Sequence, residues 1–276
     1  MDYVGENPLS CWNVIKMKKQ NHKDSNSQTS VHYANVATSY NKTFFAEDGS
    51  DYQRWKLGHV LHHLRLQPTD QLIDLGCGTG VFTSALYTKG GLTKNILGVE
   101  PSQSMLNLAQ TLPGIAMRCS DAQSFVQDRT IRYDKVLMKS MIHHIPSTDL
   151  PELYRGIYRQ LHQGGILLTQ TRPVIVDYPF FQAALEEWIK QTHTVDILAK
   201  YQEEAGFSVS YKTYYYPVQI SKNQWLEMIR NRFWSNFSYL NDEELEAGIT
   251  ELVTEYAQTD ILKFEDALIF IEAVKN

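Results

Sequence analysis

The segment LIDLGCGTGVF (Leu72–Phe82) carries the strongest structural signal in the chain. Its first residues are apolar and β-prone and end in an acid, and glycines then recur at positions 76, 78 and 80 before a new apolar segment. Glycine removes the side chain where a strand turns sharply into a helix, so that backbone N–H groups can approach a ligand. The pattern predicts a ligand-binding loop between a buried strand and a helix.

The spacing of these glycines narrows the class of ligand. The dinucleotide fingerprint GxGxxG would place its third glycine at position 81, where this chain has Val81. The carboxylate of Asp74, just before the loop, would repel a pyrophosphate but suits a cationic amino-acid group. Glu100 ends the next predicted strand, where a carboxylate can accept both hydroxyls of a ribose. These residues predict a ligand with an adenosine ribose and a charged amino-acid tail.

Strands and helices alternate around this loop. A Ser50–Gln53 capping pattern begins a helix that Pro68 follows, and helices are also predicted from Val81 and from Ser102 and between residues 150 and 161. Repeated β-α units with apolar strands indicate a parallel sheet that is covered on both faces. The predicted strands are QLIDL (71–75), NILGVE (95–100), IAMRC (115–119), YDKVLMK (133–139) and ILLTQT (166–171).

The pattern changes after residue 171. An aromatic helix is predicted from Val174 to about Thr192, followed by a short helix ending at Gly206, a strand SVSYKTYYY and two helices capped by Ser221 and Asn241. ALIFIEAV (267–274) is the last predicted strand. We predict an α/β fold with a doubly wound, mostly parallel seven-stranded sheet and a helical lid insertion after strand five. The predicted division is a flexible leader (1–30) and a single domain (31–276), with 174–206 and 221–256 as helical substrate-lid elements.

Composition limits the partners of the protein. Its 276 residues carry 26 Lys and Arg against 31 Asp and Glu, a formal net charge of −5, which disfavours broad binding to nucleic acid. Three cysteines at positions 11, 77 and 119 are far apart and odd in number, which favours a reducing, cytoplasmic setting over a disulfide framework or a cysteine zinc site. We find no signal-peptide pattern and no apolar run near the roughly 20 residues that span a bilayer. The prediction is a soluble protein without a membrane partner.

Several motifs together resemble one enzyme family. DLGCGTG, the acid that ends the second strand, SDA after the third strand and the apolar fourth strand resemble the class I S-adenosylmethionine-dependent methyltransferases over about residues 57–171. EEAGFSVSYKTYYYPVQI (203–220) and the C-terminal helices and strand look more specifically like the trans-aconitate methyltransferase branch of small-molecule enzymes.

The resemblance implies roles for matching residues in binding S-adenosylmethionine. The glycines would line its methionine and ribose, Asp74 would lie near the amino group, Glu100 would hold the ribose, and Lys139 with Ser140 would face the methyl group. Pro101 and Ser102 would lie along the adenine face, and Asp121 with Ala122 at its edge. The implied cofactor-binding set is Asp74, Gly76, Cys77, Gly78, Gly80, Glu100, Pro101, Ser102, Asp121, Ala122, Lys139 and Ser140.

The segment after strand four bears on the acceptor and on catalysis. MKSMIHH (138–144) stands where methyltransferases of DNA adenine or glutamine amides have Asn/Asp-Pro-Pro-Tyr, which argues against those acceptors. A base is required only when the acceptor must lose a proton early, and His143 or His144 could serve as that base. Paired histidines in such a loop are also often packing or solvent-exposed residues.

The acceptor pocket should be formed by loops at the carboxyl ends of the strands. Aromatic candidates suit an apolar or cationic acceptor but are more often core residues, whereas an arginine could clamp a carboxylate bidentately or simply be solvated. The predicted set is Tyr33, Tyr40, Phe44, Arg172, Trp188, Trp225 and Arg232. His59, His62 and His63 share a helical face, but without HExxH or an acidic pattern we predict no metal site.

The sequence therefore predicts methyl transfer from S-adenosylmethionine to a small molecule by a monomer or homodimer. O-methylation of a carboxylate or hydroxyl is favoured on the aconitate-like resemblance. N-methylation of a small amine, a non-methylating step such as cyclisation, and a degenerate binding module remain as alternatives, and Val81 disfavours an NAD-dependent oxidoreductase.

Overall fold

The described part of the chain forms one seven-stranded sheet. The computed structural model describes Phe45 and residues 49–276. The strands lie in the order β3-β2-β1-β4-β5-β7-β6; the first five are parallel, and β7 runs antiparallel to both β5 and β6. This confirms the predicted fold class. The strands are β1 (Leu72–Leu75), β2 (Ile96–Glu100), β3 (Ile115–Cys119), β4 (Tyr133–Lys139), β5 (Leu161–Thr171), β6 (Ser208–Ser221) and β7 (Ile261–Val274).

Helices connect the strands, and three of them begin at side-chain caps that the sequence predicts. Ser50, Ser221 and Asn241 each accept a hydrogen bond from the backbone N–H three residues later, and at Asn241 the side chain of Glu244 completes a capping box. The helices are α1 (Asp51–Leu64), α2 (Val81–Gly90), α3 (Gln103–Ala109), α4 (Ala122–Val126), α5 (Leu150–Gln160), α6 (Gln182–Gln191), α7 (Val195–Glu204), α8 (Lys222–Arg230) and α9 (Asp242–Glu255), with 3₁₀ turns at Ile142–His144 and Ser235–Tyr239.

Apolar side chains bury both faces of the sheet. One core joins the strands to α4, α5 and α7, and a second joins the opposite face to α1 and α2. β1 lies between β2 and β4, so the strand order reverses there. In open α/β sheets this switch point leaves a crevice outside the carboxyl ends of the strands.

A third apolar core, the aromatic cluster, lies beside this crevice. It joins α6, α8, α9 and the second 3₁₀ turn to the C-terminal half of β6 and the start of β7. Trp225 is at its centre, fully buried, with Phe180 stacked 5.5 Å away and Trp234 at 4.9 Å between ring centroids. These contacts explain why the segments after strand five are so rich in aromatic residues.

Several element boundaries differ from the sequence prediction. The aromatic helix starts at Gln182 rather than near residue 174, because Pro173 and Pro179 interrupt the preceding segment. β6 and β7 pair over their full 14 residues and are therefore longer than predicted. β6 tolerates Pro217 because it lies at the edge of the sheet.

The predicted lid range 174–206 divides into two parts. α6 ends at the crevice, whereas α7 packs on the sheet, where Leu198 is fully buried and Gln202 Nε2 donates to Thr169 Oγ1 at 3.3 Å. The structure therefore places α7 in the layer that covers the sheet. The predicted leader (1–30) lies outside the described residues.

Candidate functional site

A cleft of about 1050 Å³ opens at the carboxyl ends of β1, β2, β4 and β5. Parts of α1, α2, the end of α6 and the second 3₁₀ turn enclose it from above. It gathers most of the residues that the sequence singles out. The predicted residues that line it are Gly76, Cys77, Gly78, Glu100, Pro101, Asp121, Ala122, Lys139, Ser140, His143, His144, Arg172 and Trp188.

The three glycines of the loop have different roles. All have a positive φ, but a Cβ at Gly76 would lie 2.9 Å from Met141 Cβ, and one at Gly80 would lie 2.8 Å from Ala109 Cβ. A Cβ at Gly78 would meet no protein atom within 4 Å, and this residue lines the cleft. Gly76 and Gly80 are therefore required for packing, whereas Gly78 leaves space on the ligand side.

Asp74 lies beneath the loop rather than in the cleft. It is 1% exposed, and its Oδ2 accepts a hydrogen bond from Thr83 Oγ1 at 2.6 Å, which ties β1 to the first turn of α2. Its Oδ1 has no hydrogen-bond partner among the described residues. Burial raises the pKa of Asp74, although the Thr83 hydrogen bond and the charge of Lys139 act in the opposite direction.

Glu100 ends β2, and backbone N–H groups hold both of its carboxylate oxygens in place. Oε2 accepts from the Gly78 N–H at 3.1 Å and Oε1 from the Ser102 N–H at 3.0 Å. Burial raises the pKa of Glu100 despite these two hydrogen bonds. Each oxygen keeps a lone pair for a further donor, so the carboxylate can receive two neighbouring hydroxyl groups from a ligand in the cleft.

Asp121 caps α4 at the next strand end. Its carboxylate accepts from the Ser124 N–H at 2.8 Å and from Ser124 Oγ at 2.7 Å. Burial acts to raise the pKa of Asp121, but these hydrogen bonds outweigh it and lower that pKa. The residue stays an ionised acceptor at the edge of the cleft.

The end of β4 turns sharply into the cleft. Ser140 has φ 54°, unusual for a residue other than glycine, and its Oγ donates to Gln170 Oε1 at 3.0 Å. His143 and His144 follow on the 3₁₀ turn, both half-buried and lining the cleft, with ring centroids 3.9 Å apart. A base at either ring would lie beside the residues that end β4.

Arg172 ends β5 and is held by a buried polar network that the sequence analysis missed. Its Nε and Nη2 donate to the two oxygens of Asp266 at 2.9 and 3.1 Å. The hydroxyl groups of Tyr52 and Tyr178 also donate to Asp266. Burial acts to raise the pKa of Asp266, but the guanidinium and the hydrogen bonds hold it below its ordinary value. Asp266 alternates with Phe264 and Leu268 along β7, so its period-two spacing was a signal that it faces inward.

Lys56 is a further cation of the cleft without a sequence signal. It extends from α1, is 5% exposed and lines the same part of the cleft as Lys139 and Arg172. Burial, followed by the positive charges of Lys139 and Arg172, lowers the pKa of Lys56 well below its ordinary value. We call these three residues the basic end of the cleft.

Five predicted residues do not line the cleft. Gly80 and Ser102 are buried beneath it as the caps of α2 and α3, as Asp74 is beneath the loop. Trp225 is buried in the aromatic cluster, where its Nε1 donates to the carbonyl of Pro179 at 2.7 Å. Arg232 caps its own loop by donating to the carbonyl of Leu240 and to Asp242 at 2.8 and 2.7 Å. The apolar core and these loop carbonyls explain why neither reaches the cleft.

Three further predicted residues, Tyr33, Tyr40 and Phe44, lie outside the described residues. Trp188 does line the cleft, and its Nε1 donates to the carbonyl of Pro173 at 3.1 Å.

Metal centres and membrane-spanning segments are other classes of feature to consider in this part of the chain. Within residues 49–276 and Phe45, no group of three or more His, Cys, Asp or Glu side chains could hold a metal ion. The predicted histidine face is used for packing: the rings of His59 and Tyr214 contact each other in a tilted arrangement with 3.9 Å between their centroids, and His63 Nδ1 lies 3.4 Å from Glu272 Oε2. No helix in this part of the chain has the length and apolar character to cross a membrane.

Sequence comparison adds an independent finding. Residues 72–165 match the family described as "Methyltransferase domain". An uncharacterized methyltransferase of Schizosaccharomyces pombe, C70.08c, is 24% identical over 66% of this chain and 77% of its own length. Trans-aconitate 2-methyltransferase of Deinococcus radiodurans is 30% identical over 38% of each chain, so this chain spans well under half of that relative.

Comparison with solved structures addresses the fold. Phosphoethanolamine N-methyltransferase 2 of Haemonchus contortus, solved in complex with S-adenosyl-L-methionine, has a TM-score of 0.58 at 17% identity. The match covers 93% of this chain and 61% of that one. At this identity the likeness supports the same architecture.

Proposed function

We infer that this chain is an S-adenosylmethionine-dependent methyltransferase, built on the methyltransferase domain that residues 72–165 match. We propose that it methylates a small molecule bearing a carboxylate, at an oxygen. The observation that carries the proposal is the division of one cleft into a glycine loop with Glu100 on one side and the basic end on the other.

The residues beside the glycine loop fit the proposed cofactor. Glu100 keeps an acceptor on each oxygen for the ribose hydroxyls, and Gly78 leaves room for the ligand backbone. Asp74 Oδ1 is a buried acceptor without a described partner, as expected beneath a cationic amino group. Asp121 would hold the adenine edge, with Pro101 and Ala122 beside it.

Bound S-adenosylmethionine would supply a methyl group already activated as a sulfonium. The chain itself has to align the acceptor and exclude water, and such positioning is worth about 7–11 kcal/mol. Arg172 fits this task. Asp266 holds its Nε and Nη2, and the third nitrogen, Nη1, points away from Asp266 because the guanidinium is planar. An acceptor carboxylate bound there would be held at the end of β5.

The acceptor decides whether a base is needed. A carboxylate is ionised at neutral pH, so its oxygen can accept a methyl group without losing a proton. A hydroxyl acceptor would require His143 or His144 to take the proton as the bond forms. For a carboxylate we therefore expect both histidines to orient the acceptor rather than to titrate during turnover.

Two alternative reactions are N-methylation and a non-methylating step. N-methylation of a small amine is favoured by the structural likeness to an N-methyltransferase, but an ammonium substrate would be repelled by Lys56, Lys139 and Arg172. Cyclisation, or another non-methylating step, would leave S-adenosylhomocysteine at background. We further propose that α6 and residues 221–256 form the lid, and that the protein acts in the cytoplasm as a monomer or homodimer.

The test is S-adenosylhomocysteine formation with a panel of small carboxylic acids, phenols and amines. We expect turnover with acids, loss of turnover in Glu100→Ala, and a raised KM for the acid in Arg172→Gln. The matched control is Arg155→Gln, which removes an exposed arginine of α5 that pairs with Glu152. Turnover with amines alone would refute the carboxylate proposal, and product without S-adenosylhomocysteine would refute methyl transfer.

A further inference from the structure

The charges of the cleft are segregated by strand. Glu100 and Asp121 lie where β2 and β3 end, on one side of the glycine loop. The basic end lies on the other side, where β4 and β5 end and α1 crosses above them. Its three cations do not have equivalent partners: Arg172 is paired with Asp266, whereas neither lysine forms an ion pair within the described residues.

Lys56 and Lys139 flank one aromatic ring. Lys56 Nζ lies 5.5 Å from the ring centroid of Phe82 and 4.8 Å from that of Tyr52, and Lys139 Nζ lies 4.8 Å from that of Phe82. Within the described part of the chain, neither ammonium has a hydrogen bond or a carboxylate within 4.0 Å. Asp74 attracts Lys139 from a greater distance, beneath the loop.

This arrangement is unfavourable without a ligand. A buried ammonium loses its water and needs hydrogen-bond acceptors in return, which aromatic rings replace only in part. Burial lowers the pKa of Lys56 and of Lys139, and the charge of Arg172 lowers both further. Both lysines line the cleft, so an anion that enters it can reach them.

We propose that Lys56 and Lys139 form a second anion subsite, which binds a carboxylate group in front of the Phe82 ring. A carboxylate offers two oxygens and can accept one charged hydrogen bond from each ammonium. The inference rests on the proposed function for the identity of the ligands. The carboxylate is either a second acidic group of the acceptor or the amino-acid carboxylate of S-adenosylmethionine.

The experiment measures dissociation constants by calorimetry for three probes. S-adenosylhomocysteine carries the amino-acid carboxylate, 5′-methylthioadenosine lacks it, and citrate is a carboxylate without a nucleoside. The variants are Lys56→Met and Lys139→Met, which keep the unbranched stem and remove the ammonium group, and Lys56→Arg, which keeps the charge. Lys200→Met is the control, because Lys200 is exposed on α7 away from the cleft.

Both methionine variants should bind one carboxylate probe about tenfold to a hundredfold more weakly, as when a charged hydrogen bond is removed. Lys56→Arg should retain most of the affinity, and 5′-methylthioadenosine should bind equally to all variants. A loss confined to S-adenosylhomocysteine assigns the subsite to the cofactor, and a loss confined to citrate assigns it to the acceptor.

The subsite is refuted if both methionine variants bind every probe within twofold of wild type, or if 5′-methylthioadenosine is weakened as much as the carboxylate probes. Failure of the proposed function has different signatures: wild type binds neither nucleoside if the cofactor is wrong, and it turns over amines alone if the acceptor is wrong. Melting temperatures of the free proteins check the fold, and Lys56→Met should melt no lower than wild type because it removes a buried charge.

Discussion

Replacing Asp266 by Asn should lower the stability of the folded protein strongly, although Asn and Asp have nearly the same shape. Asp266 is fully buried and receives hydrogen bonds from Arg172, Tyr52 and Tyr178. The substitution keeps the shape but removes the charge opposite Arg172, whose side chain is only 14% exposed. Removing one partner of a buried ion pair costs about 3–5 kcal/mol. At about 2–4 °C per kcal/mol for a chain of this size, the melting temperature should fall by about 6–20 °C.

The pH dependence of this effect has a defined sign. The pKa of Asp266 is lower in the folded protein than in the unfolded chain, so its contribution is fully present above the unfolded pKa of about 3.9. That contribution is lost as the pH falls through the folded value. Denaturant unfolding should therefore show a constant difference between wild type and Asp266→Asn from about pH 5 to pH 8, narrowing below about pH 4.

A double variant separates charge from shape. Arg172→Gln with Asp266→Asn removes both charges and keeps amide partners for the two tyrosines, so it should be more stable than Asp266→Asn alone. The reasoning is wrong if Asp266→Asn lies within about 1 kcal/mol of wild type. It is also wrong if the double variant loses the sum of the two single effects.

Three other predictions follow from the loop, the thiols and a cap. Gly78→Ala should lose only about 1–2 kcal/mol of stability through its positive φ yet bind S-adenosylhomocysteine weakly, whereas Gly80→Ala should be destabilised further because its Cβ would clash with Ala109 at the end of α3 and with Ile115 of β3; equal melting temperatures for the two would contradict the assignment. Cys119 should react with a thiol reagent in the native protein and Cys77 should not, because burial raises the pKa of the Cys77 thiol, and mass mapping of labelled peptides would detect the reverse order. Asn241→Ala should lower stability by about 1 kcal/mol through loss of the capping box, and an unchanged denaturation midpoint would argue against that cap.

The residues of the proposed cofactor side of the cleft could be predicted from sequence because they lie close together along the chain. Glu100 and Gly78 are 22 positions apart and both sit at strand ends, where the β-α alternation fixes their location. For Asp74 the spacing predicts the strand end but not the direction of the side chain. Its side chain bonds to Thr83 beneath the loop, a contact that no periodicity encodes.

The residues of the proposed acceptor side, at the basic end of the cleft, could be predicted only in part. Arg172 was found because it ends a strand, but Asp266 and Lys56 were missed because their importance depends on tertiary packing. Trp225 was assigned to the pocket because an aromatic residue in a lid helix fits either a core or a binding site. In the structure Trp225 is buried in the third apolar core. Sequence periodicity could not reveal that such a core exists.

The network around Asp266 limits how the substrate specificity of this protein can evolve. Tyr52 and Asp266 are 214 positions apart, whereas the contacts of the glycine loop span a few tens of residues. The proposed nucleoside half of the cleft can form from one contiguous segment, but the proposed acceptor half requires β7 to be in place beside β5. Directed evolution toward new acceptors should therefore succeed more often at Lys56, whose replacement relieves a burial penalty, than at Arg172, whose replacement disturbs contacts made across most of the polypeptide.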